Sequence, residues 1–132
     1  MKKLLLVEDE DMLVAVMRPL LEKKGFAVDV ASTVEEGMIK ADGEYEVAIL
    51  DIDIKGERVF PILKKIKEDR PDTVVLMFSG YYSEEEVSEA RKLGADDFIP
   101  KTFRQGSLKD FLLPKIDFLL QKKKTEGRKT SD

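Results

Sequence analysis

Apolar positions along the chain fall into two alternating kinds of run. Short apolar blocks at Lys3–Val7, Phe26–Ala31, Glu46–Leu50, Thr73–Ser79 and Asp97-Phe98-Ile99 read as strands. Thr73–Ser79 is continuously apolar, as a strand buried on both faces should be. Between the blocks, apolar residues recur at helical spacing. From Asp11, positions Leu13, Val16, Met17, Leu20 and Leu21 predict a helix that Gly25 stops. Pro19 inside it cannot donate to the carbonyl of Ala15, so a kink is expected there. Ser32-Thr33-Val34-Glu35 has the form of a capping box opening a helix to about Ala41. Val59, Ile62, Leu63 and Ile66 line a third helix ended by Arg70-Pro71. Ser83-Glu84-Glu85-Glu86 is a second capping box, and Gly94 closes that helix. A last helix carries Leu108, Phe111, Leu112, Ile116, Leu119 and Leu120, with Pro114 in its interior. Strand–helix alternation five times over, with short connections, predicts an α/β fold with right-handed crossovers.

At 132 residues the chain is expected to form one domain with a core of its own. No apolar run is long enough to span a membrane. The start is basic and then apolar, but Glu8-Asp9-Glu10-Asp11 cuts it off too early for a secretory signal. Cysteine is absent, which suits a reducing cytoplasm, the expected location. Histidine is absent as well, which removes histidine metal sites and Ser-His triads. The net charge of −4 is uneven: residues 1–120 hold 18 basic and 25 acidic side chains, residues 121–132 hold 5 and 2. The acidic body argues against direct nucleic-acid binding. The segment 122–132 reads as a polar basic tail, expected to fray or be disordered.

Against this frame the informative stretch is Val47-Ala48-Ile49-Leu50-Asp51. Apolar residues lead straight into a carboxylate at the C-terminal end of a strand, the edge where ligands gather in open parallel sheets. Such a carboxylate serves as metal ligand, base or nucleophile. Glu8-Asp9, Ser79-Gly80 and Lys101 fall at the ends of other strands, so one sheet edge gathers three carboxylates, a hydroxyl and an ammonium. Clustered carboxylates need raised pKa values or a cation. Oxygen ligands without His or Cys favour a hard cation, most plausibly Mg²⁺. Lys101 and Ser79 are donors suited to a phosphoryl group.

These residues resemble the receiver domain of two-component response regulators. The resemblance rests on Leu6-Val7-Glu8-Asp9, Ile49-Leu50-Asp51, Met77-Phe78-Ser79-Gly80 and Phe98-Ile99-Pro100-Lys101, in that order and spacing. It implies a receiver domain over residues 1–121, a flavodoxin-like doubly wound sheet of five parallel strands in order 2-1-3-4-5, and helices on both faces. Carried over residue by residue, it implies that Asp51 accepts a phosphoryl group. It has Asp9 and Asp51 ligate Mg²⁺ directly, Glu8 through water, and Asp53 through its backbone carbonyl. Lys101 would pair with the acyl phosphate and Ser79 would hydrogen-bond a phosphoryl oxygen. Phe98 would turn inward as Ser79 moves, changing the helix-four/strand-five surface. The implied partners are a sensor histidine kinase or histidine phosphotransfer protein and a downstream protein target that the sequence does not name. A homodimer stays open. On this reading the chain is a signalling switch that catalyses only its own phosphorylation and dephosphorylation.

The sequence departs from the family pattern at Lys55, where Pro is common, at Arg58-Val59 in place of Asp-Gly, at Gly80 in place of a small side chain, and at Thr102 after Lys101. Without a Pro there, the Lys101–Thr102 bond is expected to be trans. Two other readings fit part of the pattern. Asp51-Ile52-Asp53 is similar to the nucleophile motif of haloacid dehalogenase-type phosphatases, although that motif belongs on a first core strand. A flavodoxin-like FMN carrier would share the topology, but the acidic segment after strand one offers phosphate little.

Overall fold

The computed structural model describes residues 2–80, 82–101 and 107–130. Strands β1 (Lys2–Val7), β2 (Phe26–Ala31), β3 (Val47–Asp51), β6 (Val74–Ser79) and β7 (Asp97–Pro100) form one parallel sheet in the order β2-β1-β3-β6-β7. These are the first to fifth strands of the sequence reading, so the order is the one expected. A two-stranded antiparallel ribbon, β4 (Asp53–Ile54) with β5 (Glu57–Arg58), follows β3 directly. The helices are α1 (Asp11–Lys23), α2 (Val34–Lys40), α3 (Phe60–Asp69), α4 (Glu84–Lys92) and α5 (Ser107–Thr130).

Successive strand residues point to opposite faces, and the core divides accordingly. Leu4, Leu6, Val47, Ile49, Leu76 and Phe78 pack with Met17 and Leu21 of α1 and Leu112 and Ile116 of α5. Leu5, Val7, Ala48, Leu50, Val75 and Met77 pack with Val34 of α2, Ile62 and Leu63 of α3, and Ala90 of α4. β3 lies in the middle, with all five residues buried, so the edge carrying Asp51 is fixed from both sides.

The capping box at Ser83 is present, with Ser83 Oγ accepting from Glu86 N at 3.1 Å and Glu86 Oε1 accepting from Ser83 N at 3.1 Å. The other helix start is shifted by one residue. Thr33, not Ser32, is the N-cap, and its hydroxyl accepts from Glu36 N at 3.0 Å. Pro61 sits at the start of α3, where a missing N–H is harmless. Phe111, assigned to the buried face of the last helix, is 64% exposed. The α5 stripe that reaches the sheet is Leu108, Leu112, Ile116 and Leu119, a spacing of three to four that leaves Phe111 to one side.

In the segment read as a polar tail, α5 runs on to Thr130. Gln, Lys and Glu are good helix formers, and extending an existing helix needs no new nucleus. Lys123 in this extension pairs with Asp96 at 3.2 Å, at the opposite end of β7 from Lys101. Tyr81 and the Lys101–Thr102 bond, expected trans, lie outside the described residues.

Candidate functional site

Five of the predicted site residues, Glu8, Asp9, Asp51, Ser79 and Lys101, stand at or just after the C-terminal end of a parallel strand. Asp51 closes β3, is 4% exposed, and one of its oxygens lies 2.7 Å from Lys101 Nζ. Its other oxygen accepts from Asp53 N at 3.2 Å. Glu8 follows β1, with its backbone N–H donating to Ala31 O at 3.0 Å and its side chain 1% exposed. Glu8 Oε1 accepts from the N–H groups of Asp9 and Glu10, both at 3.1 Å. Lys101 Nζ is 3.2 Å from that same oxygen and 3.0 Å from Glu8 Oε2. Asp9 stands in the same cluster, its Oδ2 accepting from Lys55 N at 3.2 Å.

Two buried carboxylates thus share one ammonium. Burial pushes the Glu8 carboxyl up to about 7, with the charge on Asp51 adding to the rise and Lys101 opposing it. Burial likewise holds Asp51 above the ordinary carboxylate range, against the pull of Lys101. For Lys101, burial works downward, but its bonds to Asp51 and Glu8 prevail and hold the ammonium above its usual range.

The donor set fits a hard cation. One oxygen each from Glu8, Asp9 and Asp51 lies within 4.8 Å of the others, with no nitrogen or sulfur ligand among them. Glu8 Oε2 is buried and accepts no hydrogen bond among the described residues, its contact with Lys101 being ionic. A buried oxygen of this kind is costly unless a cation or water completes it.

Ser79 ends β6 beside Asp51, 5% exposed, and its carbonyl accepts from Lys101 N at 2.9 Å. Phe98 on β7 is buried in the face shared with α4. Its ring lies 5.6 Å from that of Tyr82 and 4.9 Å beneath the guanidinium of Arg91. Asp53 differs from the other acids: it is exposed, and its carboxylate turns back to accept from Gly56 N at 2.9 Å.

Asp9, Asp51, Ser79 and Lys101 open into one cavity of about 530 Å³. Three neighbours were not anticipated. Glu10 contributes an oxygen 3.2 Å from Lys101 Nζ. Arg58 and Glu86 line the same cavity and pair with one another at 3.3 Å. Glu10 sits in the acidic run that drew attention, but Arg58 and Glu86 are brought together only by the ribbon after β3. That ribbon is closed by Lys55 and Gly56 at φ 52° and 85°, two positive angles in succession as a tight type I′ hairpin turn requires. For Lys55 the left-handed conformation costs roughly 1–2 kcal/mol. The Lys-for-Pro and Arg-Val-for-Asp-Gly departures lie in this segment.

Comparison with known proteins agrees with the geometry. The sequence model of the response regulator receiver domain matches residues 4–113. The transcriptional regulatory protein CpxR of Escherichia coli (strain K12) is 32% identical over 108 residues, 82% of this chain and 46% of that protein. The photosynthetic apparatus regulatory protein RegA of Rhodobacter capsulatus is 26% identical over 119 residues, 89% of this chain and 65% of that protein. The chain therefore spans about half the length of the first and about two thirds of the second. Among solved structures, a CheY-like receiver domain protein from Methanospirillum hungatei JF-1 superposes with a TM-score of 0.85 at 29% identity, covering 96% of this chain and 98% of that one.

Proposed function

The chain belongs to the response regulator receiver family, and from that premise we propose that it is a phosphorylation-dependent switch whose phosphoacceptor is Asp51. The observation that carries the reading is the setting of the Asp51 carboxylate. It is buried at the centre of the sheet edge, 2.7 Å from Lys101 Nζ and clustered with Glu8 and Asp9. The haloacid dehalogenase reading finds no support in this arrangement, because Asp51 ends the third strand rather than the first.

In the proposed reaction an Asp51 oxygen attacks the phosphorus of a phosphohistidine on a kinase or phosphotransfer protein. The new O–P bond forms as the P–N bond breaks, and the departing imidazole nitrogen keeps the electron pair. Lys101, already held between Asp51 and Glu8, needs only a small movement of its flexible stem to follow charge onto the phosphoryl oxygens. Ser79, at the end of the neighbouring strand, donates its hydroxyl to a phosphoryl oxygen. That bond exists in only one of the two states, so it biases the surface formed by α4 and β7. Asp9 and Asp51 directly, Glu8 through water and the Asp53 carbonyl would hold Mg²⁺. When bound, the ion offsets negative charge on the carboxylates and phosphoryl oxygens. The protein acts as acceptor and switch in the cytoplasm, not as an enzyme turning over an external substrate. Among the described residues no helix is long and apolar enough to cross a membrane. CpxR and RegA are named as regulatory proteins; by analogy this chain regulates a downstream protein through its α4–β7 surface.

The test is incubation with Mg²⁺ and acetyl phosphate followed by intact-mass measurement. One base-labile phosphoryl adduct is expected on the parent and none on Asp51→Asn. Equal labelling of the Asn variant would overturn the assignment.

A further inference from the structure

The ribbon β4–β5 folds Arg58 back against the site. Its guanidinium lies 3.3 Å from Glu86 Oε2 and 4.0 Å from Asp53 Oδ2. Glu86 is the third residue of α4, and its Oε1 is already committed to the N–H and hydroxyl of Ser83. Its Oε2 is buried and accepts no hydrogen bond among the described residues, so Arg58 supplies the facing charge. Arg58, Glu86, Asp51, Ser79 and Lys101 all line the same cavity of about 530 Å³.

A phosphoryl group on Asp51 would bring nearly two negative charges into that space. The guanidinium fork matches phosphate oxygens, and Arg58 is half exposed, which leaves its long stem room to swing. Its present partners are single carboxylates, and on the half-exposed Arg58 side the pair faces water, which screens it. Glu86 cannot follow, because its other oxygen closes the capping box.

We propose that Arg58 is a second phosphoryl-sensing residue. On phosphorylation of Asp51 the guanidinium leaves Glu86 for the phosphoryl oxygens, and the first turn of α4, left with an unbalanced buried carboxylate, shifts. This route joins the site to α4 through the ribbon, separately from Ser79 and Phe98. It rests on Asp51 being the phosphoacceptor.

The test uses the full chain with Mg²⁺ and beryllofluoride, a stable phosphoryl mimic, and follows backbone amide resonances. Glu86→Gln keeps the capping box, since Gln serves in its place, but removes the charge facing Arg58. Lys55→Ala removes a different cation from the same cavity and controls for the general field. In the parent, loading should shift the amides of Glu86 and Val87. Arg58→Ala should retain less than about one third of the parent's shift at these amides, and Lys55→Ala all of it. Glu86→Gln, which has no carboxylate left to unbalance, should likewise retain less than about one third of the parent's shift on loading. A full shift in Arg58→Ala, or an equal loss in Lys55→Ala, would overturn the inference. Failure of the parent to shift at Asp51–Asp53 would instead overturn the phosphoacceptor reading, so the two failures are distinguishable.

Discussion

Replacing Lys101 with Met removes the one ammonium shared by two buried carboxylates. In the parent, Lys101 Nζ lies 2.7 Å from Asp51 and 3.0 Å from Glu8, and both acids are almost wholly inaccessible. Removing one partner of a buried ion pair costs about 3–5 kcal/mol, because the remaining charge stays desolvated. Here two remain, a few ångströms apart. The escape is to bind a proton, and this gives the effect a pH signature. Glu8 has a folded pKa of about 7 against an ordinary 4.5, so between those values the folded state holds the extra proton. Its contribution to stability is full below about 4.5 and is lost as pH rises through 7. Without Lys101 both acids rise further, and the decline continues above pH 7. Urea denaturation in the presence of a chelator should therefore show Lys101→Met about 3–5 kcal/mol less stable than the parent at pH 8. At pH 5.5 the gap should close by at least half. For a chain of this size, the pH 8 loss corresponds to a fall in Tm of roughly 10–20 °C. A deficit under 1 kcal/mol at pH 8, or one unchanged at pH 5.5, would refute the shared-ammonium account.

Other outcomes follow from the same geometry. Mg²⁺ should raise the Tm of the parent by binding the folded state, and Asp9→Ala should abolish that response in a thermal melt; an unchanged response would show the ligand to be misplaced. Gly37→Ala should destabilise by about 1–3 kcal/mol in urea despite the better helix propensity of Ala, because the added Cβ would meet Ile62 Cδ1 at 2.5 Å. Ser79→Ala should still accept a phosphoryl group, but the α4 and β7 amides should shift less on loading; a full shift would mean that Ser79 does not couple the site to that surface.

Strand and helix order were legible because each run obeyed a single period. The parallel strands are buried on both faces, and the alternation with helices admits few topologies. The site was legible for a related reason: Glu8, Asp9, Asp51, Ser79 and Lys101 stand at or just after the end of a strand, and parallel strands place those ends along one edge. The ribbon was not legible. Gly56 does signal a turn, but Lys55 adopts a left-handed conformation that its chemistry disfavours, so nothing local announces a paired hairpin that brings Arg58 to Glu86. The Thr33 cap fell one residue from its expected place because Ser32 and Thr33 are both competent caps and Glu35 and Glu36 both competent partners. Phe111 was misplaced because it stands three residues after Leu108, although the stripe through Leu112, Ile116 and Leu119 turns away from it.

The most direct test of the central claim is chemical location of the phosphoryl group. After loading with acetyl phosphate and Mg²⁺, borohydride reduction converts an aspartyl phosphate to homoserine, which peptide sequencing by mass spectrometry can place. Homoserine at position 51, absent without the donor, is the predicted result; homoserine at position 9 or 53, or none in a protein shown to carry the phosphoryl adduct, would contradict it.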